Sequence, residues 1–396
     1  MRDAPNLDPV VIVSAARTPL GSFLGCLKTL SAVELGVQAV GAAINRCGLS
    51  PDHVDELMMG CVLPAGLGQA PARQVALGAG LPERVSASTI NKVCGSGMRA
   101  MMTAHDGLMA GSLSVAIAAG MESMSNAPYL LERQPKKIGH QTVLDHMMYD
   151  GLEDAYQTGR SMGTFAEDCA AHYGFSRDDQ DAYAIESVTR AQRACKTGLF
   201  DKEIAPVSVA ARSGAIEVTE DEGPGRIVID KIPSLKAAFR PDGTVTAASS
   251  SSINDGAAAL VLMRASQAQA LGVDPMARIV GHTTFAQAPQ WFTTAPITAI
   301  QRLLSRIKWS IHEVDLWEIN EAFAVVAMAA MHDLKIAHER LNVNGGACAL
   351  GHPIGASGAR IVVTLLHALE QHGLRRGVAS ICIGGGEATA LAVERL

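Results

Sequence analysis

Aromatic side chains make up only 4% of the 396 residues, and the eight cysteines include no Cys-x-x-Cys pair. Without that spacing neither a zinc module nor a disulfide framework is indicated, so reduced thiols in a cytoplasmic setting are the simplest account. Dense basic blocks are also missing, and a net charge of −6 gives no electrostatic reason to expect a nucleic-acid partner. The longest apolar run, Ala322 to Met331, is too short to cross a bilayer. The start, Met1-Arg2-Asp3-Ala4-Pro5, leads straight into an apolar strand and resembles no signal or transit peptide. The final Glu394-Arg395-Leu396 is not the usual peroxisomal tripeptide.

What the chain has in quantity is glycine, 38 residues, within a composition that is 48% hydrophobic. Ala, Val, Leu and Gly in these amounts suit an α/β protein with close helix–sheet packing, and the length allows roughly two to three domains. Val10 to Ala15 reads as a strand. Ser31-Ala32-Val33-Glu34 is a capping box that opens a helix to Cys47, stopped by Gly48. Strand Leu57–Val62, helix Pro71–Leu77, strand Val85–Ile90, helix Met98–Met109 and strand Val115–Gly120 follow. That alternation predicts a mostly parallel sheet.

Charged residues then thicken (Glu132, Arg133, Lys136, Lys137, Glu153, Asp154) and the alternation is lost. Ser176 caps a long helix to Lys196, and short β-like pieces fall at Val207–Ala210 and Ile227–Asp230. This stretch reads as an insertion over the sheet that carries substrate contacts. After a strand at Ala257–Met263 the first pattern returns. Strand Ala277–Gly281 is followed by helix Ile297–Ile307, and strand Leu316–Ile319 by helix Ala322–His332. Strand Leu341–Val343 is followed by helix Ser357–His372, and strands Ala379–Ile383 and Thr389–Val393 end the chain. Two similar α/β halves related by duplication are expected.

Four loops carry candidate chemistry. Cys94, in Asn91-Lys92-Val93-Cys94-Gly95-Ser96-Gly97-Met98, sits where a strand turns into a helix, among glycines that permit a tight turn. Free N–H groups at the helix start favour a thiolate, although a buried free thiol is the plainer reading of a lone cysteine. His352 is fixed between Gly351 and Pro353 in the glycine-rich loop Asn344 to Gly358. Asn320 opens a helix and reads as an N-cap if not as a donor. Cys382 precedes Gly384-Gly385-Gly386 at a strand end. If facing halves bring the strand ends together, two thiols, an imidazole and an amide define one site: one thiol to carry an acyl group, one to move a proton, polar donors for an oxyanion.

These motifs resemble the thiolase family, most closely the acetoacetyl-CoA type of acetyl-CoA C-acyltransferase. The resemblance runs from Val11-Ile12-Val13-Ser14-Ala15-Ala16-Arg17-Thr18-Pro19 to the last strand and includes Gly120-Met121-Glu122-Ser123-Met124-Ser125. It implies a duplicated thiolase fold with a five-layer α-β-α-β-α core and an inserted loop domain. The N-terminal half would comprise residues 1–121 and 244–272, the inserted coenzyme A-binding domain 122–243, and the C-terminal half 273–396. It implies a homo-oligomer, a dimer or a tetramer, and a part in fatty acid metabolism. No permanently bound cofactor and no metal are implied; coenzyme A and acetyl-CoA are substrates.

Carried over, Cys94 would be acylated, His352 would activate it, and Cys382 would take or return the α-proton. Asn320 would hold a water that, with His352 Nε2, forms one oxyanion hole, and the N–H groups of Cys94 and Gly384 would form the other. Coenzyme A would lie against Leu152, Met162, Phe239, Ala247, Ser251, Ala322 and Phe323. Its 3′-phosphate has Arg226, Lys231 and Lys236 as candidate partners. The chain departs from the pattern at Ser161, where the family has His, at Ser249–Ser252, and at Phe292-Thr293-Thr294-Ala295-Pro296. These leave the chemistry intact and bear on substrate preference. Two other readings are a one-way condensing enzyme of the ketoacyl synthase kind, opposed by Cys382, and an acyl-CoA binder without catalysis, which needs none of the four side chains.

Overall fold

The computed structural model describes residues 8–133, 138–211 and 214–396; Met1 to Pro5, Lys136 and Lys137 lie outside them. The first half comprises β1 (Val10–Arg17), β2 (Gly21–Ser22), α1 (Ala32–Cys47), β3 (Glu56–Gly60), α2 (Pro71–Gly78), β4 (Ser86–Ile90), α3 (Ser96–Ala110) and β5 (Val115–Ser123). The middle segment carries β6 (Tyr129–Leu131), β7 (Val143–Asp145), α4 (Met162–Tyr173), α5 (Arg177–Lys196), β8 (Val207–Ala211), β9 (Gly214–Val218) and α6 (Glu222–Arg226). Then come β10 (Asn254–Arg264), α7 (Ala265–Leu271), β11 (Ala277–Ala286), α8 (Ala295–Ile307), β12 (Leu316–Ile319), α9 (Ala324–Leu334), α10 (Ala347–Leu350), α11 (Ile354–His372), β13 (Arg376–Ile383) and β14 (Glu387–Arg395).

The main sheet runs β12-β13-β14-β11-β1-β10-β5-β3-β4, with β2 beside β10. It is two sheets joined at a narrow seam, since β1 meets β11 only through Val11↔Arg278 and Ile12↔Ala277. Each half repeats the other in pairing sense. β1–β10 and β11–β14 are antiparallel, as are β10–β5 and β14–β13, while β5–β3 and β13–β12 are parallel. The parallel pair β3–β4 is matched by a single bridge, Trp317↔Leu341.

Alternation along the strands builds the layers. On β10, Ala257, Ala259, Val261 and Met263 face α1 and α2, while Ala258, Leu260 and Leu262 face the centre. On β14, Ala388, Ala390 and Ala392 face the opposite outer layer of α8 and α9, while Leu391 and Val393 face inward. The central layer is α3 and α11, and α11 is buried from Ile354 through Leu369. Apart from the exposed edge strand β4, the sheets are covered on both faces, which is why strands such as β1, β5 and β10 read as continuous apolar runs.

Three expectations need correction. The sheet is mixed, because β13 returns into β14 through the three-residue turn Gly384 to Gly386, and so short a turn forces antiparallel pairing. The strand expected at Leu341–Val343 shrinks to its one bridge, since Asn342 takes a left-handed φ of 47° and turns the chain. The β-like piece at Ile227–Asp230 runs into a 3-10 helix at Ile229–Ser234, which contains Pro233, a residue with no N–H for a ladder.

One buried ion cluster ties the middle segment to β1. Arg17 donates to both oxygens of Asp221 (2.7 and 2.8 Å) and to Glu203 (2.6 Å), all out of solvent. Removing one partner strands an unpaired charge, so Asp221→Ala should cost about 3–5 kcal/mol of stability. Denaturant titration checks this, and a loss below 1 kcal/mol would show the cluster to be dispensable.

Candidate active site

Cys94 lies between β4 and α3 on a strained turn, but the strain is not at a glycine. Val93 has a φ of +45°, a left-handed conformation that β-branched residues avoid. Hydrogen bonds hold it there: Val93 N–H to Asn91 Oδ1 (2.9 Å), Lys92 N–H to Ser96 Oγ (2.8 Å), and Ser96 Oγ–H to the Val93 carbonyl (2.6 Å). The glycines serve close approach. A Cβ on Gly95 would sit 2.4 Å from Ile383 Cδ1, and one on Gly97 would sit 2.8 Å from the Ala359 nitrogen. On α11, a Cβ at Gly358 would lie 2.5 Å from the Met98 nitrogen. Glycine contacts therefore press the starts of α3 and α11 together.

Burial pushes the Cys94 thiol up to about 11, although the N–H groups of Gly384 and Cys94 itself pull the other way. The N–H that opposes burial most is that of Gly384, in the turn after β13, and not one of the free N–H groups at the start of α3. Cys382, at the end of β13, is fully buried, and burial together with charge on Cys94 holds its thiol well above the ordinary range.

His352 is buried and its orientation is fixed. Ser357 donates its one hydroxyl proton to the Pro353 carbonyl (2.9 Å), so at 2.6 Å it accepts from His352 Nδ1–H. That places the imidazole lone pair on Nε2, which has no hydrogen-bond partner among the described residues. Burial first, then the charge of Arg360, lowers the His352 pKa to about 3, so the ring is neutral at neutral pH. Two residues on, Ile354 packs in one apolar cluster with Cys94 and Leu152.

Asn320 follows β12, where its N–H donates to the Ser380 carbonyl (3.0 Å); its side-chain amide is buried and has no partner at either end among the described residues. It is not an N-cap, since α9 begins at Ala324 after Phe323. The neighbouring Glu321 anchors this loop by accepting from Tyr183 Oη (2.9 Å), Ser187 Oγ (2.8 Å), Asn342 Nδ2 (2.7 Å) and Cys348 N–H (3.0 Å).

The residues expected along coenzyme A fall into neighbouring groups. Met162 opens α4, its sulfur 3.6 Å from where a Cβ on Gly384 would stand. Phe239 packs edge-on against Phe323 (5.8 Å between centroids), and Phe323 against Phe292 (6.5 Å). Ser251 donates its N–H and its hydroxyl to the Ala322 carbonyl (both 3.0 Å), and the Ser252 carbonyl accepts from His352 N–H (3.1 Å). The serine run therefore stitches the Asn320 and His352 loops together. Ala247 and Ser252 line a groove of about 390 Å³ that also contains Arg226, Lys231 and Leu235; Lys236 is not among its lining residues.

Sequence reasoning passed over Ser357, whose only signal was a serine four residues after Pro353 in a first helical turn. Glu122, in the Gly120 to Ser125 motif, has a role that only the fold reveals. That buried carboxylate accepts from the N–H groups of Val62 (3.0 Å), Leu63 (3.1 Å) and Gly355 (2.8 Å), joining β5 to the start of α11. Burial raises it to about 7 against those bonds.

Residues 10–266 match the thiolase N-terminal domain and residues 273–395 the thiolase C-terminal domain. A mitochondrial acetyl-CoA acetyltransferase from Xenopus laevis is 50% identical over 99% of this chain and 93% of its own. A cytosolic acetyl-CoA acetyltransferase from Gibberella zeae is 45% identical over 99% of each. A thiolase from Ascaris suum, solved in complex with coenzyme A, superposes with a TM-score of 0.93 at 43% identity, covering 98% of this chain and all of that one. With both halves matched at these identities, this chain belongs to the thiolase family of acyl-transferring enzymes.

Proposed function

We propose that this thiolase joins two acetyl-CoA molecules to acetoacetyl-CoA by a reversible Claisen condensation, and cleaves short 3-oxoacyl-CoA esters in reverse, through an acyl-Cys94 intermediate. The observation that carries this reading is the gathering of Cys94, Cys382 and the Gly384 N–H, with His352 Nε2 and the Asn320 amide buried without partners among the described residues on two loops that the serine run joins. His352 Nε2 takes the Cys94 proton as sulfur attacks the thioester carbonyl. The departing coenzyme A sulfur takes the proton of Cys382. Cys382, now a thiolate, removes the α-proton of the second acetyl-CoA, and the carbanion attacks acetyl-Cys94. Cys94 leaves as a thiolate and recovers its proton from His352. The N–H groups of Cys94 and Gly384 receive one oxyanion, and His352 with Asn320 the other.

The pantetheine arm lies along Leu152, Met162, Phe239, Ala247, Ser251, Ala322 and Phe323, with Arg226 and Lys231 toward the phosphates. Residues 122–243 act as the inserted domain, with 1–121 and 244–272 as one half and 273–396 as the other. Thiolysis shortens a 3-oxoacyl chain by two carbons, which fits a part in fatty acid metabolism. A cytoplasmic location fits a chain in which no described helix is long and apolar enough to cross a membrane. An oligomer, a dimer or a homotetramer, is consistent with β4, which closes one end of the sheet with an edge that no other described strand pairs. Loss of acetoacetyl-CoA absorbance with free coenzyme A tests the activity, and no loss would sink it.

Two expected results refine this reading. With the Cys94 thiol near 11 and His352 near 3, neither changes charge between pH 5 and 9. A separated thiolate–imidazolium pair is disfavoured, so the proton moves as the C–S bond forms. The rate of Cys94 acetylation should therefore be flat across that range. A tenfold rise through pH 8.5 would show attack by a free thiolate instead.

The second concerns chain length. Phe292 is buried between Phe165 and Phe323, where it is bulkier and stiffer than a methionine. One methylene in such a pocket changes specificity by roughly 10- to 200-fold. Thiolysis kcat/KM should peak at short 3-oxoacyl-CoA esters and fall beyond medium length, with Phe292→Met extending the range. A maximum at long chains would refute it.

A further inference from the structure

We propose that His105, Asp106 and His282 form a binding site for one zinc-like divalent transition metal that fastens α3 to β11. His282 Nε2 is 2.9 Å from Asp106 Oδ1 and 3.2 Å from His105 Nδ1, and His105 Nδ1 is 3.1 Å from Asp106 Oδ1. Among the described residues this is the group of histidine, cysteine and carboxylate side chains whose ligand atoms close on one another as a metal's ligands do. Hydrogen bonding accounts for the triangle poorly. If both ring nitrogens donate to the one carboxylate oxygen, two N–H groups face each other 3.2 Å apart, and if His282 Nε2–H serves both Asp106 Oδ1 and His105 Nδ1, the His105 lone pair faces the carboxylate oxygen at 3.1 Å.

A metal removes that conflict, because all three atoms then present lone pairs to one point. Bonds of about 2.0–2.2 Å to such a triangle put the ion roughly 1 Å out of its plane. Two imidazoles and one carboxylate select Zn²⁺, Co²⁺ or Ni²⁺ over Mg²⁺ and Ca²⁺. The rings stand at 87° to each other, so both edges reach the ion without stacking. Asp106 is exposed and leaves a fourth position open to solvent, while the histidines are largely covered. Arg306, whose guanidinium donates to the His282 carbonyl (3.1 Å), opposes a cation, and the Asp106 carboxylate offsets it. Since α3 begins beside Cys94 in the first half and β11 belongs to the second, a bound ion clips the two halves together behind the nucleophile.

The test titrates metal-stripped full-length protein with Co²⁺ and reads its visible d–d bands. One Co²⁺ per chain should bind without a sulfur-to-cobalt charge-transfer band. Loss of an outer-shell partner alone costs 10- to 100-fold in affinity, so Asp106→Asn and His282→Ala should each weaken binding by at least roughly that factor. Zn²⁺ should raise the melting temperature of the native chain and not of these variants. Asp106 is on the surface, so Asp106→Asn keeps the test usable if His282→Ala fails to fold. Absence of stoichiometric binding, a sulfur charge-transfer band, or unchanged affinity in Asp106→Asn would each overturn the site.

Discussion

Brief exposure to acetyl-CoA should leave one acetyl group on Cys94, and Cys94→Ala should lose at least roughly 10⁴-fold in turnover, equivalent to about 5.5 kcal/mol of transition-state stabilisation. The size of the effect follows from what the fold invests in this one sulfur. Val93 is held at a φ of +45°, a costly conformation for a β-branched residue, by the Asn91 and Ser96 hydrogen bonds. Gly95, Gly97 and Gly358 bring two helices and β13 against the turn. No other cysteine combines this turn with an N–H from Gly384 aimed at its sulfur: Cys61, Cys169 and Cys348 are buried in packing, with their thiols pushed up by burial. Mass spectrometry of the modified peptide locates the acetyl group. Acetylation elsewhere, or full turnover in Cys94→Ala, would remove the nucleophile assignment.

Much of this was legible locally. The Ser31 capping box is present as read, with Glu34 N–H donating to Ser31 Oγ (3.2 Å) and Ser31 N–H to Glu34 Oε2 (2.7 Å). Ser176 and Asp179 repeat it at the start of α5. Short-range signals of this kind survive folding because both partners are set by three residues of chain. Strand direction did not show, since a run such as Thr389 to Val393 has the same composition whichever way its neighbour points. Long-range polar contacts did not show either: Arg17 and Asp221 are 204 positions apart, and nothing near either names the other.

The candidate site divides in the same way. The strand-to-helix position of Cys94 and the turn after Cys382 could be read from glycine placement. A strained turn is expected at the glycines, but the strain falls on Val93, because a β-branched residue argues against a left-handed conformation and adopts it here only under the hydrogen bonds of Asn91 and Ser96. The charge states were also hidden. From sequence a helix start lowers a thiol, and in the folded chain burial reverses the sign for Cys94 and silences His352 as an acid in the free enzyme.

Cys382→Ala should separate the two halves of the reaction. The variant should still acetylate Cys94, within about tenfold of the native rate, because a thiolate leaves without needing a proton and solvent supplies one. It should fail to exchange the α-protons of acetyl-CoA with deuterium, and condensation should fall by roughly 10²- to 10⁴-fold, the usual contribution of a positioned base. Burial makes Cys382 suitable for this task. The same surroundings that hold its thiol well above the ordinary range make its thiolate, once formed, a strong base toward a weakly acidic carbon. His352→Ala should show the opposite pattern, with acylation itself slowed, since Nε2 is the neutral nitrogen that Ser357 leaves free to receive the Cys94 proton. The pair of variants therefore discriminates by which step fails, a distinction that general loss of folding cannot imitate. Normal deuterium exchange in Cys382→Ala would pass the base to another group.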